Sequence, residues 1–215
     1  MPCAKGWRWR RGAGLSPRAP ESHRVTSGPK GRRRLRYSLR ALEPRDGPAI
    51  AAIARIARFE SIPGLPDLHT PQEDFDYYAS QVSSEQGLVA LDDVSSLGAG
   101  DDPLVVGFVM WRGEFIEHLY VLPGHQSQGV GAALLAGAAE RMPTERIWLW
   151  TFQANVNAVG FYLSQGFRID RATDGQANEE RLPDFLLTRA QPGSGVIAGA
   201  AWSSSQAPRS RSLSK

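Results

Sequence analysis

The stretch Val121-Leu-Pro-Gly-His-Gln126-Ser127-Gln128-Gly129-Val130-Gly131-Ala132 has the make-up of an anion-binding turn. An apolar strand-like run ends, a Pro-Gly pair turns the chain, and glycines open an apolar helical run. Backbone N–H groups in the first turn of a helix have no partner inside the helix. The helix dipole adds partial positive charge at that end. Glycine lets phosphate oxygens approach the main chain, so pyrophosphate is the chemistry this turn suits. A second reading is that Gly129 and Gly131 serve only tight strand–helix packing. A dinucleotide turn is excluded. Gly129-Val-Gly131-Ala-Ala-Leu134 reads G-x-G-x-x-L rather than G-x-G-x-x-G, and the run 147–152 ends without an acidic residue for a ribose.

Groups able to move protons precede this turn. In the run 115–121, side chains of a strand alternate, which puts Phe115, Glu117 and Leu119 on one face and His118 on the other. A carboxylate among apolar neighbours has a raised pKa, which suits a general base. Glu117 is therefore the candidate base, with a solvated strand face as the alternative. His118, turned toward the helices, is the runner-up, with a structural histidine as its alternative. Trp111, in the preceding run, either fills the core or walls a pocket. Phe161-Tyr162 either forms a core aromatic pair or offers a phenol, an acid of ordinary pKa about 10. Asn155 is placed to cap a helix. Asn178, Glu179, Glu180, Arg181 and Asp184 fall in the loop between the last two strands, where specificity residues commonly lie.

The elements that must hold these groups follow from periodicity and punctuation. Residues 37–42 form a first strand. Asp46 caps a helix running to about Phe59, with Pro48 in its first turn and Ile50, Ile53 and Ala57 on one face. Thr70-Pro71-Gln72-Glu73 is a capping box that starts a helix reaching about Val82. Strands follow at 87–91, 104–111 and 115–121. A helix over 129–141 leads into a strand over 147–152, a β-α-β unit that requires two parallel strands. Asn155 opens a last helix that Gly166 ends, before strands at 167–171 and 185–188. The order predicts a mixed α/β sheet.

Charge divides the chain unevenly. Residues 1–40 carry 12 Lys and Arg against Glu21 alone, residues 191–215 carry a net +3, and the intervening body carries a net −11. Residues 1–36 lack any apolar period and read as a disordered basic extension. A transit peptide, a nucleic-acid contact through Gly31-Arg32-Arg33-Arg34, and a passive extension from an upstream start site are its three readings. Residues 191–215 read as a low-complexity tail, leaving 37–190 as the folded domain. The acidic body draws cationic substrates and disfavours nucleic acid. No apolar run reaches 18 residues, so no membrane-spanning helix is expected. The one cysteine, Cys3, excludes an internal disulfide and suits the cytoplasm. No cluster of metal-ligating residues stands near the turn, so no metal is predicted.

Two motifs together resemble the GNAT superfamily of N-acetyltransferases. Gln126-x-x-Gly129-x-Gly131 is similar to its [Gln/Arg]-x-x-Gly-x-[Gly/Ala] signature. Asn155-Val-Asn-Ala158-Val-Gly-Phe161-Tyr162-Leu-Ser-Gln-Gly166-Phe167 is similar to its N-x-x-A-x-x-F-Y-x-x-x-G-F. The resemblance covers about 37–190. Leu65-Pro-Asp-Leu-His69-Thr, His118-Leu-Tyr-Val121 and Asp174-Gly-Gln-Ala-Asn178 further resemble a bacterial subgroup of undefined substrate. Ser127 departs from the glycine common there, and Gln126 from the commoner arginine.

The resemblance implies a mostly antiparallel sheet splayed at two central parallel strands and flanked by helices. It implies acetyl-CoA as co-substrate, with the amides of Gln128, Gly129, Val130, Gly131 and Ala132, and with Gln126 and Ser127, around the pyrophosphate. The strand end Leu119, Tyr120 and Val121, with Asn155, would line the pantetheine arm. It turns the Glu117 face toward the acceptor and sets Tyr162 beside the sulfur as general acid. His69 would lie at the acceptor pocket.

Direct acetyl transfer to a small-molecule or peptide amine is the leading function. An acyl-CoA-binding sensor without turnover is the alternative, and a nucleic-acid-binding protein using the basic head is a third. The position of Cys3 argues against a covalent thioester route. O-acetylation, a longer acyl chain and a homodimer all stay open.

Overall fold

A computed structural model describes residues 36–93 and 103–191. The basic extension, apart from Arg36, and the tail beyond Gln191 lie outside the described residues, as does Cys3.

The elements run β1 (Tyr37–Ala41), α1 (Gly47–Ser61), α2 (Pro71–Val82), β2 (Gln86–Asp92), β3 (Leu104–Arg112), β4 (Phe115–Val121), α3 (Val130–Ala139), β5 (Arg146–Phe152), α4 (Val156–Ser164), β6 (Arg168–Thr173) and β7 (Asp184–Ala190). One seven-stranded sheet has the order β1-β2-β3-β4-β5-β7-β6. Every neighbouring pair is antiparallel except β4 and β5. The final strand inserts between β5 and β6, an order that periodicity does not reveal.

Helices cover both faces of the sheet. Ile50, Ile53 and Ala54 of α1 pack with Tyr78 and Val82 of α2 onto Val89, Phe108 and Met110. On the opposite face Val130, Leu134, Leu135 and Ala138 of α3 pack onto Val106, Val109, Trp111, Leu149 and Leu187. Burying each large aliphatic side chain contributes about 1.5–3 kcal/mol. Alternation from Phe108 to Trp111, with Phe108 and Met110 on one face and Val109 and Trp111 on the other, makes this strand the shared wall of both layers.

The capping box of α2 forms as expected. Thr70 Oγ1 accepts from Glu73 N, and Glu73 Oε2 accepts from Thr70 N at 2.8 Å. Asp46 behaves differently from the expected helix cap. Its carboxylate makes no capping bond to α1. Instead it accepts from Arg40 at 2.7 and 2.8 Å and from Glu43 N at 2.9 Å, tying β1 to the entry of α1.

Two irregularities shape the centre of the sheet. The parallel strands pair only at Phe115↔Trp148 and Ile116↔Leu149, then diverge. The register of β3 and β4 also slips between Met110↔His118 and Trp111↔Ile116, so Glu117 is the extra, unpaired residue of a β-bulge.

Candidate active site

A cleft of about 790 Å³ opens where β4 and β5 part, walled by α1, α2, α4 and the loop into α3. At one end β4 stops at Val121 and a 3₁₀ turn, Pro123–His125, bends the chain. Ser127 and Gly129 then take left-handed φ of 57° and 86°. The first bond of α3 runs from Ala133 N to Gly129 O. The amides of Val130, Gly131 and Ala132 therefore precede it and are left without helical partners. Side chains brace this turn from behind. Gln128 accepts from Tyr37 Oη at 2.7 Å and donates to Gly124 O at 2.9 Å, while Gln126 Nε2 donates to Val121 O at 3.0 Å. The Val130 side chain is buried in the core, so Val130 can offer only main chain to a ligand, while the Gln128 side chain is taken up in bracing the turn.

The free edge of β4 supplies more donors. Leu122 N bonds Val106 O across to β3. The two-residue period then turns the N–H of Tyr120 toward β3 and those of Leu119 and Val121 toward the gap beside β5. Leu119, Tyr120 and Val121 all line the cleft, but the main chain of Tyr120 pairs with Phe108 of β3, which leaves the open edge to Leu119 and Val121.

Glu117 lies in the cleft with Oε1 buried and without a hydrogen-bond partner among the described residues. Burial, and then the negative charge of Glu85, push its pKa up to about 7, with Arg112 opposing. Simple alternation fails here. Phe115 packs with Trp148 and Leu186, Leu119 packs against the α3-side core, and Glu117 and His118 line the same cleft. The bulge is the cause, because an extra residue re-aims the side chains around it. His118 lies 3.1 Å from Tyr77 Oη through Nε2, and its ring meets Tyr78 edge-on. Burial, with Arg58 and Arg112 nearby, pulls its pKa down to about 4, so it stays neutral and is the weaker base.

Tyr162 belongs to an aromatic cluster and also borders the cleft. Its ring packs between Phe161 and Phe167. Burial, with Tyr120 adding to it, raises the phenol's pKa, so the hydroxyl keeps its proton. Asn155 Oδ1 caps α4 by accepting from Ala158 N at 3.1 Å, and Asn155 borders the cleft.

At the other end stand His69, Glu179 and Glu180. His69 Nε2 meets Glu179 Oε2 at 3.2 Å, linking the loop before α2 to the β6–β7 loop. Asn178 is not a wall. Its side chain bonds Leu182 O at 2.7 Å, Asp184 at 3.0 Å and Leu182 N at 3.1 Å, holding the β6–β7 loop in shape. Gly175 in that loop has a φ of 80°, and a Cβ there would run into the Leu182 backbone. Trp111 is not a wall either: it is 3% exposed in the α3-side core, its indole N–H donating to Gln86 at 2.8 Å.

Sequence reasoning missed Arg58, Asp74, Tyr77 and Tyr78, which line the cleft. It also missed Glu85 and Arg112, which pair beneath Glu117. For Arg58 and Asp74 the one signal was charge set among the apolar positions of α1 and α2.

The sequence profile of the acetyltransferase (GNAT) family matches residues 54–167. Peptidyl-lysine N-acetyltransferase YiaC of Escherichia coli is 30% identical over 89 residues, 41% of this chain and 58% of that protein. The uncharacterized N-acetyltransferase Rv2669 of Mycobacterium tuberculosis is 33% identical over 102 residues, 43% of this chain and 65% of that protein. The chain thus spans less than two thirds of the length of these relatives. Among solved structures, apo-form YjaB from Escherichia coli superposes with a TM-score of 0.56 at 22% identity, covering 74% of this chain and 99% of that one. The Escherichia coli ribosomal-protein-S18-alanine N-acetyltransferase superposes at 0.53 and 17% identity, covering 76% and 99%. At such identities the likeness is one of fold.

Proposed function

The chain belongs to the acetyltransferase (GNAT) family, and on that premise we propose that it is an acetyl-CoA-dependent N-acetyltransferase working by direct attack in a ternary complex. The observation that carries this reading is one continuous cleft. It joins the unpartnered amides of α3, the free edge of β4, a carboxylate with a pKa of about 7 and a protonated phenol.

These residues fit acetyl-CoA. The amides of Val130, Gly131 and Ala132, set by the left-handed turns at Ser127 and Gly129, suit a pyrophosphate. The N–H groups of Leu119 and Val121 suit an extended amide-bearing arm laid along an open strand edge. When bound, acetyl-CoA supplies an activated acetyl thioester. Glu117 accepts a proton from the acceptor's ammonium, directly or through water, freeing the nitrogen lone pair. The amine nitrogen then bonds the acetyl carbon as the carbon–sulfur bond breaks. Tyr162 hydrogen-bonds the departing sulfur and gives it a proton, and the phenolate regains one from the second N–H that the new amide nitrogen sheds. The raised pKa of the phenol makes it a firm hydrogen-bond donor that gives up the proton only as thiolate charge appears. A β4 N–H is placed to stabilise the oxyanion, an effect of about 10²–10³ in rate. We place the protein in the cytoplasm, as a chain with one cysteine suits a reducing compartment.

The test is acetyl-CoA binding by calorimetry, followed by thiol release against a broad amine panel. Binding with amine-dependent thiol release, lost in Glu117→Gln while binding persists, is expected. Binding without turnover on any amine points to a sensor, and no binding ends the reading.

A further inference from the structure

The acceptor half of the cleft contains a cation that the chemistry above does not use. Arg58 projects from α1 into the cleft with its side chain 18% exposed. Among the described residues its guanidinium makes no hydrogen bond. The one carboxylate oxygen within 4.0 Å is Asp74 Oδ1, at 3.9 Å. Asp74 is committed elsewhere, because Arg55 Nη1 donates to its Oδ2 at 2.7 Å. Arg55 is fully employed, donating also to Asp67 at 2.5 Å and to His69 O at 2.9 Å. The two arginines, one turn apart on α1, thus differ in kind: Arg55 staples the loop before α2, and Arg58 keeps its donors for the cleft. Hydroxyl-bearing rings flank it, for Tyr78 and Tyr120 lie in its field. His118, the neighbour of Glu117, lies between Arg58 and Arg112 electrostatically.

A guanidinium presents five donors in a planar fork and cannot shed its charge. Held largely out of water without acceptors, it forgoes the bonds it would make in solvent. A planar anion is what such a fork matches. Asp74 and Glu180 are the nearby negative charges. They offset part of the positive charge of Arg58, and the fork suits one further carboxylate, beside an amine that Glu117 serves.

We propose that Arg58 anchors a carboxylate carried by the acceptor itself, so that the acceptor class is amines bearing their own carboxylate, amino acids foremost. This deepens the acetyltransferase reading and rests on it. The β6–β7 loop, through Glu180, forms the far side of the same pocket.

The experiment compares the standard L-amino acids and short ω-amino acids with their carboxamides, as acceptors and as ligands of the CoA-loaded full chain. Wild type, Arg58→Lys and Arg58→Gln are measured together. Wild type is expected to prefer the acid over the carboxamide by at least about tenfold in kcat/KM for one or more pairs. Arg58→Gln should collapse that ratio toward one, and Arg58→Lys should keep part of it. Melting temperature and CoA affinity report whether each variant folds. Turnover of carboxamides or plain amines as fast as of the acids overturns this proposal while leaving the acetyltransferase reading intact. A ratio unchanged in Arg58→Gln overturns it too and assigns the guanidinium to Glu180. If no amine turns over, calorimetry decides. Arg58-dependent binding of an amino acid to the CoA complex upholds the anchor, and its absence rejects it.

Discussion

The pKa of Glu117 is set by burial and two neighbours, and its orientation by one backbone irregularity. Burial and Glu85 raise its pKa to about 7, and Arg112 restrains the rise. As the proposed base it must be ionised to act, so kcat/KM should climb with pH through an inflection near 7. Glu85→Gln removes the adjacent negative charge and should move that inflection to lower pH, which a pH–rate profile reads directly. An unmoved inflection would exclude Glu85 from the tuning. Glu117→Gln should cost about 10²–10⁴-fold in kcat with acetyl-CoA affinity retained.

The same carboxylate lowers stability. Its folded pKa lies above the ordinary value of 4.5, so the native state binds more protons between those two values. Stability therefore falls as pH rises from about 4.5 through 7. The melting-temperature advantage of Glu117→Gln should accordingly be larger at pH 8 than at pH 5, and calorimetric scans at both values check it.

The turn between β4 and α3 depends on two left-handed residues. Gly129 adopts a φ of 86° without strain, whereas Ser127 holds 57° with a side chain. A Cβ at Gly129 meets no neighbour, so the cost of Gly129→Ala is conformational rather than steric. That substitution should destabilise by about 1–2 kcal/mol and weaken acetyl-CoA binding as the amides of α3 lose their aim. An unchanged affinity would separate the turn from the pyrophosphate. Ser127→Gly, by contrast, should leave stability equal or slightly higher, because the strained side chain is removed while unfolded-state entropy rises. The cap on α4 is a simpler case. Asn155→Ala forfeits the bond to Ala158 N and should cost about 1 kcal/mol, seen as a lower denaturation midpoint.

The sheet as a whole is two antiparallel blocks joined by a parallel seam only two residue pairs long. One block is β1 to β4, and the other is β5, β7 and β6. A ligand lying in the gap would bond to both blocks and add to the seam. Acetyl-CoA at one hundred times its dissociation constant should raise stability by about 2.7 kcal/mol. A melting shift of roughly 5–10 °C follows for a domain of this size. The His69–Glu179 pair is a second link across the cleft, at the acceptor end. Glu179→Gln should alter KM for the acceptor and leave acetyl-CoA affinity alone, and a change in both would assign the pair to fold maintenance.

Local sequence determined the parts that local physics governs. The capping box at Thr70, the strand–turn–helix at Val121–Ala132 and the cap at Asn155 each draw their structure from residues within about four positions. They were legible for that reason. The two motifs around Gly129 and Tyr162 likewise identified the family that the profile match bears out. Tertiary structure decided what rests on long-range pairing. The bulge at Glu117 arises from the register between β3 and β4, and no alternation rule within one strand foretells it. Trp111 went to the core and Asn178 to bracing its own loop, because a side chain's role depends on which element covers it. The insertion of β7 between β5 and β6, the approach of Arg58 to Asp74 and the Glu85–Arg112 pair beneath Glu117 all join residues far apart in the chain. Contacts at such separation become definite only when the sheet closes and chooses its neighbours.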